Sequence, residues 1–297
     1  MALFMIPVAG LTQDRSLAEL IRQARAAGIE QAQLDHLQDR AATRGISDEE
    51  LISIIEPSVA LAEKNLPSDL IFQKALEGMS KGVSAQQMIP VLQNIQQSTE
   101  SVVPVIDSWM ERGEVDEMLT RSGERFDREM LRNEMLKVSA KAVSQQVGLN
   151  LVQDILNTLT EQGVIPTTKP SSVIAGIGIT PDLPEVAERP EAVRGIVVRA
   201  IQSGFSAAEI QNLPGAMNVA QRRSQMPASA VLEGVSQQLQ RELPASQILQ
   251  NLFNGNVGGG PPGRTPPGLD NRPGQEGPPD GVGPPDGTGL PDNSGGG

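Results

Sequence analysis

Apolar residues recur at helical spacing along most of the first 254 residues. The clearest stripes lie within Leu17–Ala24, Ile71–Met79, Val231–Leu239 and Ile248–Leu252. Steps of three and four residues place these side chains on one face of an α-helix. Helices of three to four turns cannot bury such a face alone, so they should stack on their neighbours. The pattern predicts an all-α body of short stacked amphipathic helices, either solenoid-like or an irregular helical bundle.

One joint recurs between the predicted helices. Residues 45–47, 82–84 and 204–206 read Gly, hydrophobic residue, Ser, and Glu or Gln follows the Ser after three positions. Gly favours the left-handed conformation that ends a helix, and the Ser and the acidic or amide residue form a capping box for the next helix. A variant joint carries Pro near the first turn of the next helix, at Leu66-Pro67, Met226-Pro227 and Leu243-Pro244.

The two ends of the body resemble each other. Residues 45–51 match 204–210 at an offset of 159, and residues 66–92 match 226–252 at an offset of 160. Apolar positions agree well and identities are few. A duplicated helical unit explains the match, and so does the general similarity of any two amphipathic helix pairs with similar loops.

Composition and joints divide the chain into six parts. The segments are a possible signal-peptide remnant at 1–13, an N-terminal helical unit at 14–112, central longer helices at 113–162, a Pro-rich loop at 163–190, a C-terminal helical unit at 191–254, and a tail at 255–297. The tail has 15 Gly and 10 Pro among 43 residues. It cannot bury enough apolar surface to offset its ordering entropy, so we expect a disordered spacer, and deleting residues 256–297 should leave stability unchanged.

The Pro-rich loop holds five prolines and one apolar run, Val173–Ile179. The run could be an isolated strand or a plug laid across helix ends, and we favour the plug. Ile174, Ile177 and Ile179 are therefore either buried against the body or kept available for a partner. We expect burial in the isolated protein, with the loop partly covering the groove between the two helical units.

Charge and composition exclude several classes of function. The net charge is −12, and the chain has five Phe, one Trp and no Tyr. An acidic chain without basic runs or stacking side chains is a poor nucleic-acid binder, and it lacks the basic helix face of membrane-surface proteins. No apolar stretch approaches the length of a transmembrane helix. The absence of cysteine removes disulfides and thiolate metal sites, and it fits a bacterial envelope protein weakly.

The compartment depends on the first residues. Ala2–Leu11 has the length and composition of the apolar part of a secretory signal but lacks basic residues before it. We expect export to the periplasm or the cell surface of a bacterium. The alternative is an apolar N-terminal arm that packs on the body of a cytosolic protein.

No catalytic, cofactor-binding or metal site emerges from the sequence. His36 is the one histidine, and beside Leu34 and Leu37 it is typical of a polar helix face rather than of a general base or a zinc ligand. Phosphate-binding loops and nucleophile elbows are absent. Paired carboxylates near helix starts usually offset the helix dipole. We therefore expect no enzyme and no cofactor, with a hydrolase that uses carboxylates alone as a distant alternative.

The most informative run is 74–83. Lys74, Glu77 and Lys81 share one narrow helix face, where Glu77 should pair with both lysines. Gly78 costs helix stability, so another part of the chain should approach the helix closely there. This face is either a partner-docking surface or a solvated stripe beside a packing glycine, and we favour the solvated stripe.

The same run carries a resemblance. Leu66-Pro67, residues 74–78 and residues 81–84 resemble uncharacterised exported bacterial helical-repeat proteins with a Gly/Pro-rich C-terminal tail. The resemblance covers about 15–95 and, more weakly, 190–254. It implies export and helical repeats and no site residues. The sequence thus predicts a non-enzymatic interaction or scaffold protein with an unknown protein partner. The alternative to an exported protein is a cytosolic helical adaptor.

Overall fold

A computed structural model describes residues 16–258 of the chain, and these residues form thirteen α-helices and no strand. The predicted all-α fold is confirmed. The predicted signal-peptide remnant and most of the predicted tail lie outside the described residues. The helices are α1 (Leu17–Ala26), α2 (Gln31–Arg44), α3 (Asp48–Ala62), α4 (Asp69–Ser80), α5 (Ala85–Met110), α6 (Gly113–Arg121), α7 (Arg128–Ser144), α8 (Leu149–Glu161), α9 (Pro170–Gly178), α10 (Pro190–Gln202), α11 (Ala207–Ser224), α12 (Ala228–Gln240) and α13 (Ala245–Phe253).

The helices stack in two layers, as in a solenoid. Every odd-numbered helix packs on the next odd-numbered one, from α1 through α13. The second layer has two runs, with α2 on α4, and α8 on α10 and α10 on α12. Most helices therefore pack on helices two places away in the chain, which is how repeat proteins share a core, whereas α6 packs on the short 3-10 turn Ile165–Thr167.

The structure has more joints of the predicted kind than the three that read Gly, hydrophobic residue, Ser. A residue with positive φ ends a helix, and the N–H of the hydrophobic residue after it donates to the C=O five positions earlier, which defines a Schellman motif. Non-glycine residues take this conformation at several joints. The eight hydrophobic donors are Ile29, Ile46, Leu66, Val83, Val147, Val164, Phe205 and Leu243.

The capping boxes are confirmed at two of the three predicted joints. The Oγ of Ser47 accepts from the backbone N–H of Glu50, and the Oγ of Ser206 accepts from that of Glu209; both Glu side chains reach back to the cap backbone. Ser84 forms no such bond, and its Oγ lies 3.2 Å from Oε1 of Gln87. The prediction of a capping box was therefore wrong at Ser84, where neither backbone N–H of the box receives a side-chain hydrogen bond.

The core divides inside a helix rather than at the predicted boundary of 112. One cluster of buried side chains runs from Leu20 to Ile95, and a larger one runs from Val102 to Val257. Helix α5 spans both clusters in one run of 26 residues despite two internal prolines. Both ends of α5 bury side chains, from Ala85 and Met88 in the first cluster to Trp109 and Met110 in the second, so packing holds the helix together across Pro90 and Pro104.

The segment predicted as a Pro-rich loop contains helix α9, flanked by two short 3-10 turns. Its isoleucines and glycines read as a strand or plug, yet α9 takes its place in the first layer between α7 and α11. Pro170 occupies the first turn, where its missing N–H is harmless. At Gly176 a Cβ would lie 2.8 Å from Cδ1 of Ile201 and 3.0 Å from Cγ1 of Val197, so the glycine permits close packing against α10.

Candidate functional site

An open groove lies between α4, α5 and the C-terminal end of α7. It consists of two adjoining cavities of about 300 and 200 Å³ that share Lys74, Glu77 and Val91. Val91 lies on α5 with 42% of its surface exposed, although most large apolar side chains in the described chain are buried. Lys141 and Ser144 of α7 complete one end of the groove, and Lys81 and Gln87 lie at the other.

The charge of the open groove is opposite to that of the chain. Its charged lining residues are Lys74, Lys81 and Lys141 against Glu77, so the groove carries +2 on a protein of net charge −12. Nζ of Lys74 lies 3.0 Å from a carboxylate oxygen of Glu77, and Lys81 pairs with the other oxygen. Hydrogen bonds from Lys81 and then Lys74 lower the pKa of Glu77 to about 2. Lys141 forms no ion pair within residues 16–258.

Gly78 determines how closely the two walls of the groove approach. A Cβ at this position would lie 2.9 Å from Cγ of Met88 and would overlap its sulfur. The sequence predicts that another part of the chain approaches α4 closely at Gly78. The structure confirms this, and the approaching group is the side chain of Met88 on α5. Val91, one turn after Met88 on α5, lies at the groove surface.

A second groove, between α12 and α13, is filled by the chain itself. After α13 the backbone turns at Gly255, and Val257 packs back with only 1% of its surface exposed. Nε2 of Gln238 donates to the carbonyl O of Val257 at 2.9 Å, and Nδ2 of Asn251 donates to Oε1 of Gln238 at 2.9 Å. At Gly234 a Cβ would overlap both the carbonyl O and Cγ1 of Val257. The body thus extends to Val257, beyond the predicted end at 254.

The filled groove and the open groove occupy corresponding places in the two halves. Helices α5 and α13 begin at Ala85 and Ala245, which are 160 residues apart, and the joints before them have positive φ at Gly82 and Glu242. At this offset, three positions that hold Val257 in one groove line the open space in the other. The pairs are Gly234 with Lys74, Gln238 with Gly78, and Asn251 with Val91.

The other candidate residues do not join the open groove. Ile177 and Ile179 are buried and Ile174 is partly buried, all on or just after α9. The expected burial is confirmed, but α9 is a member of the stack and does not cover a groove. His36 is exposed on α2 between the buried Leu34 and Leu37, as expected. Within residues 16–258, no group of three or more potential metal ligands is found.

Two further cavities lie elsewhere among the described residues. One, of about 660 Å³, lies between the C-terminal ends of α10 and α12, where Arg199 donates to Oγ of Ser236 at 2.7 Å. Another, of about 340 Å³, lies between α8 and α10, and its Arg194 pairs with Glu191. Charges of both signs line each of these cavities. No helix among the described residues is long and apolar enough to cross a membrane.

Sequence reasoning found one wall of the open groove and missed the other. The face formed by Lys74, Glu77 and Lys81 was identified from helical spacing. Lys141 and Val91 were not, because their approach to that face depends on the packing of α5 against α4 and α7. In the sequence, the exposure of Val91 is indicated only weakly, by the polar residues Gln93 and Asn94 that follow it.

Comparisons of the chain with protein-family models, with curated proteins and with solved structures found no match. The resemblance to exported helical-repeat proteins therefore stays a prediction from the sequence.

Proposed function

We propose that this protein is a non-enzymatic interaction or scaffold protein whose open groove binds an acidic segment of a partner protein. The observation that carries the proposal is the filled groove, where a helix pair of the same kind holds a turn of the chain that follows α13, through one small apolar side chain, Val257, and its backbone carbonyl.

The lining of the open groove favours an acidic segment. Three lysines face one glutamate there, and Lys141 lacks an ion-pair partner within residues 16–258. A carboxylate that approached Lys141 would gain a charge-assisted hydrogen bond. Val91 offers the apolar contact, since burying an exposed Val against a small aliphatic side chain is favourable by about 1 kcal/mol or more. Extended surfaces of this kind are how stacked-helix proteins commonly bind their partners.

A peptide library selected against the full chain tests this function. We expect the selected peptides to carry acidic residues around a small apolar residue. Val91→Asp should weaken their binding about tenfold or more, because it adds a charge at the apolar floor. Lys141→Glu should weaken it several-fold, and less at high salt, because screening reduces the attraction.

Lys169→Glu is the matched control. Lys169 is an exposed lysine without an ion pair among the described residues, and it lies before α9, outside the groove. Peptides that bind the Val91→Asp and Lys141→Glu variants as tightly as the Lys169→Glu variant would contradict the proposal.

The proposed compartment is the bacterial periplasm or cell surface, as the sequence predicts. Mass spectrometry of the N-terminus of the native protein tests it, because a processed end near Leu11 to Gln13 is the product of export. An unprocessed Met1 would favour the cytosolic adaptor.

A further inference from the structure

We propose that the open groove is occupied, in the free protein, by the C-terminal tail of the same chain, with Val282 on Val91 and the neighbouring carboxylates on the groove lysines. This inference rests on the proposed function of the groove and specifies its regulation. The tail would act as an internal competitor that a partner segment must displace.

The first reason is the precedent within the fold. In the filled groove the chain returns after α13 and inserts Val257, which is followed by Gly258. The tail offers the same kind of anchor a second time, because Val282 lies between Gly281 and Gly283. Glycines on both sides of the valine let a backbone approach a helix surface closely.

The second reason is charge. From Pro273 to Gly297 the tail has four carboxylates and no basic residue. Two of them, Asp280 and Asp286, flank Val282 at distances of two and four positions. The described part of the chain is acidic overall, so the lysine-lined groove is a rare surface that attracts this segment. The filled groove uses neutral amides instead, since Asn256 and Val257 bring no charge.

The third reason is reach. The first layer passes from α13 through α11, α9 and α7 to α5, in four steps of about 10 Å each between packed helices. Only 23 residues separate Val282 from Gly258, and a chain of that length spans up to about 75 Å when extended. The distance of about 40 Å is therefore well within reach of Val282.

A spin label on the full chain tests the contact. The chain has no cysteine, so Thr288→Cys creates a single attachment site near Val282. We expect the label to reduce the methyl signals of Val91 at least twofold relative to the reduced, diamagnetic sample. The comparison group is the methyl of Met130 on α7, which is 49% exposed and lies outside the groove.

Two variants sharpen the result. Lys141→Glu and Val282→Asp should each restore the Val91 signal, whereas Lys169→Glu should leave it reduced. Equal loss at Val91 and Met130 overturns the proposal, and so does no loss at either. Loss that appears only when labelled chains are mixed with isotope-labelled ones also overturns it, because the occupant is then a second copy.

Peptide binding separates this inference from the proposed function. If the tail competes, Val282→Asp in the full chain should raise the affinity for the selected peptides about threefold or more. If peptides bind the groove and the spin label shows no contact, the internal competitor is wrong and the partner-binding function stands. If the tail contacts the groove and no peptide binds, the groove serves the chain itself and the partner-binding function fails.

Discussion

The two grooves show how one helix arrangement can be closed or left open by a few side chains. Between α12 and α13, Gly234 makes room for a backbone, Gln238 donates to the carbonyl O of Val257, and Asn251 donates to the side-chain oxygen of Gln238. At the corresponding places beside α4 and α5, Lys74 adds a long charged side chain and Val91 offers no hydrogen bond. An occupant of the open groove would therefore be held mainly through its side chains, with carboxylates on the lysines and an apolar side chain on Val91.

The two grooves also differ in their position in the stack of helices. Helix α5 continues for 26 residues and has α7 beside it, so the open groove lies within the stack. Helix α13 has nine residues and is the last helix of the described chain, so its groove is at an end. The segment 254–257 covers that end with a buried valine. Terminal repeats of stacked-helix proteins commonly need such a cap to shield their apolar face.

The largest expected effect comes from removing the occupant of the filled groove. A chain that ends at Asn254 should lose about 3 kcal/mol in free energy of unfolding, because Val257 is lost from the core and Gln238 loses its acceptor. A chain that ends at Gly258 should lose less than about 1 kcal/mol. Urea denaturation of the two truncated chains and the full chain measures the difference.

This prediction differs from the sequence-based expectation that deleting residues 256–297 leaves stability unchanged, because Val257 is buried. Equal stability of the two truncated chains would show that the contacts of Val257 are too weak to cap the stack.

The second prediction compares the two grooves at one position. Gly234→Ala should destabilise the protein by about 2 kcal/mol, because the new Cβ overlaps Val257 and displaces it, which outweighs the better helix propensity of Ala. Lys74→Ala at the corresponding position should change stability by less than about 0.5 kcal/mol, since it removes only an exposed pair with Glu77. Thermal or urea unfolding of the two variants decides this, and a neutral Gly234→Ala would contradict the close contact.

The third prediction concerns the helix caps that the two halves share. Ser47→Ala and Ser206→Ala should each cost about 1 kcal/mol, since each hydroxyl accepts a backbone N–H within a complete capping box. Ser84→Ala should cost only a few tenths, because Ser84 accepts no such bond. Urea midpoints of the three variants test the order, and an equal loss in all three would show that Ser84 caps its helix in solution.

The sequence predicted the local features well because they depend on neighbours in the chain. Helical stripes, the joints at Gly45, Gly82 and Gly204, and the ion pairs of Glu77 all follow from spacing of five residues or fewer. The fold class follows from the same spacing. These features need no knowledge of which helix packs on which.

The features that the sequence missed depend on packing between distant segments. Helix α9 is stabilised by α7, α10 and α11, and the carboxylate of Glu124 accepts from the backbone N–H and the hydroxyl of Ser171 at its start. Weak local propensity is overridden there by tertiary contacts. Val257 was assigned to the tail because its neighbours are Gly and Asn, and only the three-dimensional position of Gln238 explains its burial.

The smallest expected effect is the pH dependence at Glu77, whose counterpart in the second half is the uncharged Gln237. Hydrogen bonds from Lys81 and then Lys74 lower the pKa of Glu77 to about 2, from an ordinary value of 4.5. A lowered pKa in the folded state means that the pairing stabilises the fold above about pH 4.5 and is lost as the pH falls towards 2. The carboxyl signal of Glu77 in an NMR titration should therefore have its midpoint well below 4.5, and Lys81→Gln should raise it. A midpoint near 4.5 would show that the two lysines are free in solution and available, with their full charge, to an acidic occupant of the open groove.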